Sequence, residues 1–119
     1  MTIHDIASRL AAYCRQGDYE TAQKELFADN AVSIEPVAHP PFDKETHGLQ
    51  AIMEKGRVFE DMIVEKHSFR VSEPLLAESS FAFLHGMDLT MKDRGRVDME
   101  ELCVYTVKDG KIISEQFFM

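Results

Sequence analysis

VDMEELCVYTVKDGKIISEQFF, residues 97–118, reads as two β-strands that meet at Asp109-Gly110. An Asp-Gly pair between two runs rich in β-branched and aromatic residues supplies the positive φ angles of a two-residue type I′ turn. With the turn at this position Lys108 pairs with Lys111, and an uninterrupted register places Cys103 opposite Gln116. The sequence therefore predicts a C-terminal β-hairpin.

Both faces of the predicted hairpin carry apolar side chains. The uninterrupted register divides the residues into one face with Met99, Glu101, Cys103, Tyr105, Val107, Ile112, Ser114, Gln116 and Phe118, and an opposite face with Glu100, Leu102, Val104, Thr106, Ile113, Glu115 and Phe117. An antiparallel sheet with one face in water alternates more cleanly between apolar and polar residues. Because helices in so short a chain can cover only one face, the pattern predicts a homodimer through the other face.

The composition indicates one globular domain, residues 1–119. A hydrophobic fraction of 45% and a charged fraction of 29% are ordinary for such a domain, and a chain of this length can bury a core without disulfides or metals. The net charge of −8 argues against a nucleic-acid partner, because phosphate backbones bind clustered Lys and Arg.

The sequence also shows no signal for secretion or for a membrane. Residues 1–10 lack the basic start and apolar core of a signal peptide, and no apolar run approaches membrane-spanning length. Cys14 and Cys103 read as small apolar residues in a reducing compartment, although a disulfide between them stays open. We therefore expect a cytoplasmic protein without a membrane partner.

Upstream of the hairpin the patterns predict helices first and strands afterwards. Thr2 and Asp5 form a capping-box pattern before a first helix that ends at Gly17, and Asp18 begins a second helix. Residues 31–35 form a short strand that a proline stops. A third helix begins near residues 46–48 and reaches residue 63, and strands follow over residues 64–72 and 79–91.

Residues 36–48 contain two adjacent prolines and are predicted to hold no regular element. A loop of this length forms the lid or rim of a site, or crosses the end of the sheet as an ordinary surface loop. The sequence leaves both readings open.

The stretch LFADNAVSIEP, residues 26–36, together with the closing DGKIISEQFF, residues 109–118, resembles the NTF2-like superfamily and, within it, the SnoaL-like proteins. The resemblance covers nearly the whole chain. It implies an α+β fold in which three helices pack on a strongly curved, mostly antiparallel sheet that forms a cone. It also implies a pocket at the open end of the cone and a dimer through the outer face of the sheet.

The resemblance implies candidate site residues one position at a time. In the ketosteroid isomerase branch a carboxylate before a proline at the end of the first strand is the general base, and Glu35 before Pro36 matches it. The tyrosine of that branch falls at Leu10, with Tyr13 nearly one turn later, and its second acid falls at Leu102 or Cys103. The cyclase branch uses a His and Asp pair, for which the possible counterparts are His67, His85 and Asp88.

The residues themselves support some of these candidates. A carboxylate such as Glu35 at a strand end, facing an apolar cone, would suit a general base. Glu115 stands between apolar residues, so it lines the pocket, meets a partner, or forms an ion pair with Arg57 or Arg70. A histidine in an apolar strand is either a hydrogen-bonded core residue or an acid-base group. The predicted ligand-binding residues are Tyr13, His67, His85, Asp88, Leu102, Glu115 and Phe117.

The sequence contains no spacing typical of a metal site or of a cofactor-binding loop, so none is predicted. The leading functional hypothesis is binding of a small, mainly apolar organic molecule, with cofactor-independent acid-base turnover of the isomerase, cyclase or dehydratase kind. The alternative is a non-catalytic protein-interaction or dimerisation module with a residual cavity. A mainly apolar cavity of several hundred cubic ångströms with a few polar groups would favour the first hypothesis, and a cavity filled by Phe and Met side chains would favour the second.

Overall fold

Three helices and seven strands make up residues 1–119 in the computed structural model of the chain. The helices are α1 Ile3–Arg15, α2 Tyr19–Leu26 and α3 Leu49–Asp61. The strands are β1 Phe27–Ile34, β2 Glu45–His47, β3 Ile63–Val71, β4 Leu75–Leu76, β5 Ser80–Met91, β6 Gly95–Lys108 and β7 Lys111–Phe118. None of the helices combines the length and the apolar character that crossing a bilayer would require.

The first helix begins where its capping box predicts. The backbone N–H of Asp5 donates to Thr2 Oγ1 at 3.1 Å, and the backbone N–H of Thr2 donates to Asp5 Oδ2 at 3.3 Å. This exchange satisfies two of the N–H groups that a helix start leaves free. The buried side of α1 then packs on the sheet through Ile6, Ala7, Leu10, Ala11 and Cys14.

The sheet has the order β2-β1-β7-β6-β5-β3, with β4 paired to β5. Only the pair of β1 and β7 is parallel, and every other pair is antiparallel. The helices cover the inner face of the sheet, and the core between the two layers includes Ile6, Leu26, Ile52, Phe81 and Ile112. The predicted α+β class, with three helices on a mostly antiparallel sheet, is confirmed.

The C-terminal turn is confirmed, but the predicted register is wrong beyond it. Asp109 and Gly110 have φ angles of 52° and 76°, and Lys108 pairs with Lys111. A β-bulge between Thr106 and Val107 shifts the register, so that Cys103 lies opposite Phe117 and not opposite Gln116.

The bulge arises because β7 contributes one extra residue, Ile113, to the ladder. A shift of one residue moves every later side chain of the strand to the other face. Glu115 and Phe117 therefore join Cys103 and Tyr105 on the inner face, whereas Gln116 and Phe118 lie on the outer face with Val104 and Leu102.

The prediction that residues 36–48 hold no regular element is also wrong in part. Glu45–His47 form β2, which pairs with residues 32–34 of β1, and the backbone N–H of Glu35 donates to Lys44 O at 2.7 Å. The prolines are confined to the hairpin loop between β1 and β2, where the ladder needs no N–H from them.

Candidate functional site

A cavity of about 640 Å³ lies between the inner face of the sheet and helices α2 and α3. Alternation along β5, β6 and β7 turns His85, Glu101, Glu115 and Phe117 toward it. The loop after β1 borders the mouth of the cavity through Pro36, Val37, His39 and Phe42. Of the two readings of this loop, this position matches the rim of a site. Apolar side chains such as Ile52 and Met53 of α3 form much of the remaining wall.

A chain of hydrogen bonds joins two carboxylates on one side of the cavity. Lys55 Nζ donates to Glu35 Oε1 at 3.1 Å and to Ser33 Oγ at 2.6 Å, and Ser33 Oγ donates to Glu115 Oε2 at 2.6 Å. Ser33 and Glu115 are partners in the parallel pair of β1 and β7, which explains their close approach. One lysine on α3 thus connects the end of β1 with the middle of β7.

The two carboxylates of this cluster differ in burial. Burial raises the pKa of Glu115 to about 7, although Lys55 and the Ser33 hydroxyl favour the ionised form, and the nearby charge of Glu35 adds to the rise. The side chain of Glu35 keeps 26% of its surface exposed. Because burial penalises the charged form, the buried Glu115 is the group of this cluster that takes up a proton near neutral pH.

A second polar group lies on the other side of the cavity, around His85. Tyr19 Oη and His85 Nε2 are 2.8 Å apart, and His85 Nδ1 lies 4.0 Å from Glu101 Oε1. The two rings meet edge to face at 5.4 Å between centroids. Burial raises the pKa of the Tyr19 hydroxyl well above its usual range, so this hydroxyl stays protonated and can donate a hydrogen bond.

Cys103 lies beside this second group. One donor atom from each of His85, Glu101 and Cys103 lies within 4.8 Å of the others. Cys103 is fully buried, and burial raises the pKa of its thiol well above the ordinary value. Cys14, the other cysteine, is also buried and free, so the two do not form a disulfide.

Of the predicted site residues, the fold brings four together at the cavity: Glu35, His85, Glu115 and Phe117. Four others lie elsewhere. Tyr13 packs against the core from α1, next to Glu25, and His67 Nε2 contacts Thr90 Oγ1 at 2.7 Å.

Asp88 and Leu102 lie on the outer face because alternation along β5 and β6 turns them away from the cavity. Asp88 accepts hydrogen bonds from Arg96 at 3.0 and 3.1 Å, and Leu102 is 39% exposed. Tyr13, His67, Asp88 and Leu102 are therefore left out of the candidate site.

Sequence reasoning missed Tyr19, Ser33, Lys55, Glu101 and Cys103 as members of the two polar groups. Two of them had a usable signal. Ser33 lies two residues before Glu35 and so shares its face of the strand, and Lys55 interrupts the apolar side of α3. The others depend on the pairing of distant segments, which a single sequence does not reveal.

The sequence and the fold of the chain are similar to those of known proteins. A family model described as SnoaL-like domain matches residues 1–119. One similar structure is that of a protein from Mesorhizobium loti, described both as a proposed SnoaL-like polyketide cyclase and as a carbohydrate phosphatase. Its sequence is 34% identical to this chain, the TM-score is 0.91, and the match covers the whole of both chains. No curated protein matches the chain.

Two more distant structures share the fold alone. The first is a hypothetical protein with a ketosteroid isomerase-like fold from Catenulispora acidiphila, in complex with trimethylamine. Its TM-score is 0.76 at 14% identity, and the match covers 100% of this chain and 87% of that protein. TerC, co-crystallised with polyporic acid, has a TM-score of 0.77 at 13% identity and covers 98% of this chain and 89% of its own.

Proposed function

Because the chain belongs to the SnoaL-like domain family, we propose that it binds a small, mainly apolar organic molecule in the cavity and carries out cofactor-independent acid-base chemistry led by Glu35. The observation that carries the proposal is the cavity itself. Its volume of about 640 Å³ suits a small organic molecule, and most of its surface is apolar, although charged and polar side chains line it as often as apolar ones. The structures of related folds with trimethylamine and with polyporic acid support a small organic molecule as the ligand.

The base in this proposal is Glu35. It lies at the mouth of the cavity, where it forms an ion pair with Lys55 Nζ at 3.1 Å. A carboxylate at this position can remove a proton from carbon, the step with which isomerisations, cyclisations and dehydrations of carbonyl compounds begin.

Glu115 supports the base from deeper in the cavity. It is joined to Glu35 through Ser33 and Lys55, and its pKa of about 7 allows it to hold or release a proton near neutral pH. Lys55 passes a proton through the Ser33 hydroxyl to ionised Glu115 as its Nζ takes up the proton that Glu35 has removed from the ligand, and the reverse transfer returns the proton.

Tyr19 and His85 supply the complementary group on the other side of the cavity. Glu35 follows β1 and His85 lies on β5, three strands apart in the sheet, so the two groups border the cavity from different sides. With the ring proton on Nε2, His85 donates to Tyr19 Oη, and the tyrosine proton then points at an oxygen of the ligand.

Proton abstraction from 5-nitrobenzisoxazole tests the role of Glu35. This planar bicyclic compound loses its carbon-bound proton to a base as its N–O bond breaks, which releases a coloured phenolate. We expect saturable turnover above the buffer rate, lost in Glu35→Gln and retained in Glu78→Gln, whose carboxylate is exposed away from the cavity. Equal rates in the two variants would remove Glu35 from the mechanism.

A second candidate function, a protein-interaction or dimerisation module, is favoured by the outer face of the sheet. Leu84, Leu102 and Phe118 are neighbours across β5, β6 and β7 and are 44%, 39% and 44% exposed. A row of three large apolar side chains in water suits contact with a second copy of the chain. We therefore include a homodimer through this face in the proposal.

A further inference from the structure

Three different metal-binding atoms face one another on the inner face of the sheet. His85 and Glu101 are direct partners across β5 and β6, and Cys103 lies two residues further along β6 on the same side. Their nitrogen, oxygen and sulfur atoms lie within 4.8 Å of one another. His85 and Glu101 also line the cavity, so the group borders space that a fourth ligand can enter.

We infer that His85, Glu101 and Cys103 bind a zinc ion, with a fourth coordination position open to the cavity. Zinc accepts imidazole nitrogen, thiolate sulfur and carboxylate oxygen together, and three protein ligands with one open position is the arrangement of catalytic zinc sites. Bond lengths of about 2.0–2.3 Å to a tetrahedral ion imply that the donor atoms move together by on the order of 1 Å. Rotations of the side chains supply a movement of that size.

The charges of the site balance. A thiolate, a carboxylate and a neutral imidazole carry two negative charges, which match the two positive charges of the ion. A neutral set is what a buried location favours, since an uncompensated charge is costly there. On binding, the S–H bond of Cys103 is replaced by an S–Zn bond and the proton passes to solvent.

The surroundings of His85 match those of a metal-bound histidine. Its Nε2 is 2.8 Å from Tyr19 Oη, which leaves Nδ1, the atom nearest Glu101, for the ion. Histidines that bind metals usually donate their other ring N–H to a neighbouring oxygen, and this bond fixes the tautomer. Tyr19 is therefore a positioning residue for the zinc ligand.

Cobalt(II) titration of chelator-treated protein tests the site. We expect one equivalent to give the near-ultraviolet band of a thiolate-cobalt bond and the visible bands of a four-coordinate ion, both bleached when zinc displaces cobalt. Cys103→Ser should lose the thiolate band, and Cys14→Ser, which alters the other buried thiol, should keep it. Tyr19→Phe should weaken binding by roughly 10–100-fold while keeping the band.

The inference fails if no thiolate band appears, or if the band persists in Cys103→Ser. If circular dichroism shows that Cys103→Ser does not fold, the cobalt affinities of His85→Gln and Glu101→Gln test the site in its place. Unchanged cobalt affinity in both variants would contradict the proposed metal site. The result is independent of the base proposed above. Glu35→Gln should bind cobalt like the unmodified protein, so loss of proton abstraction and loss of metal binding are separate outcomes.

Discussion

Lys55 is the residue on which the charge state of the cavity depends. It contacts Glu35 directly and Glu115 through Ser33, and its side chain is only 15% exposed. The ammonium favours ionisation of Glu115, whereas the charge of Glu35 disfavours it. Substitutions within this cluster should therefore shift the titration of Glu115 in opposite directions.

Lys55→Met should raise the pKa of Glu115 above 7, because the cation that favours its ionised form is gone. Glu35→Gln should lower this pKa, because a competing negative charge is removed. Carbon-detected NMR titration of the side-chain carboxyl groups measures both shifts. Asp88, whose pKa Arg96 holds below its usual range, is the internal control and should titrate unchanged in both variants.

Glu115 should also make the protein less stable as pH rises. Its pKa is raised from 4.5 in the unfolded chain to about 7, so between these values the folded state binds more protons than the unfolded state. The free energy of unfolding therefore falls as pH increases through this window, by at most about 3 kcal/mol. Glu115→Gln, which cannot ionise, should remove this part of the fall.

Urea denaturation at pH 5 and pH 8 measures the free energy of unfolding of the unmodified protein and of Glu115→Gln. The difference between the two proteins isolates the contribution of Glu115, because the other groups titrate in both. If the stability of Glu115→Gln declined with pH as steeply as that of the unmodified protein, Glu115 would not carry the raised pKa.

At the scale of elements, the β6–β7 hairpin shows what the sequence predicts and where its information ends. Asp109-Gly110 and the pairing of Lys108 with Lys111 follow from local chemistry, because few residues adopt two successive positive φ angles. The bulge at Ile113 does not, since an extra residue in a ladder is selected by packing against the rest of the fold.

The residues of the candidate site also fall into those that the sequence indicated and those that only the folded structure reveals. The family resemblance and the position before Pro36 pointed to Glu35, and the cyclase branch and an apolar strand face pointed to His85; both residues line the cavity. Lys55 and Tyr19 enter the cavity from helices whose rotation is set by tertiary packing. Glu101 reaches His85 only through the pairing of β5 with β6.

The backbone conformation of the Asp109-Gly110 turn can be tested by comparing two glycine-to-alanine substitutions, one in the turn and one in a helix. Gly110→Ala places a Cβ at φ 76° and should destabilise the fold by about 1–2 kcal/mol. Gly56→Ala, inside α3 where an added Cβ meets no atom within 4 Å, should instead stabilise it by roughly 0.5–1 kcal/mol. Thermal unfolding of both variants measures the difference, and a Gly110→Ala protein as stable as the unmodified one would contradict the turn geometry.

On the scale of the whole molecule, the two faces of the sheet have different proposed partners. The inner face encloses the cavity, and the outer face presents the row of Leu84, Leu102 and Phe118 to solvent. Contact with a second copy through this face would remove the apolar row from water.

Leu102→Lys should therefore dissociate the homodimer, because it places a charge in the middle of the apolar row. Val64→Lys alters another exposed apolar residue, near the end of β5 remote from the row, and should leave the dimer intact. Sedimentation velocity at micromolar concentration distinguishes the two species. A monomeric unmodified protein under these conditions would end the dimer proposal.

An isotope-filtered NOE spectrum of the protein with 2-naphthol, a small apolar ring system with one hydroxyl, measures whether the cavity binds a ligand. We expect contacts from the naphthol ring protons to the side chains of Ile52, Met53 and Phe117 at the cavity wall, and none to Leu84 or Leu102 on the outer face. The absence of contacts to the cavity wall, or contacts to the outer leucines alone, would contradict ligand binding in the cavity.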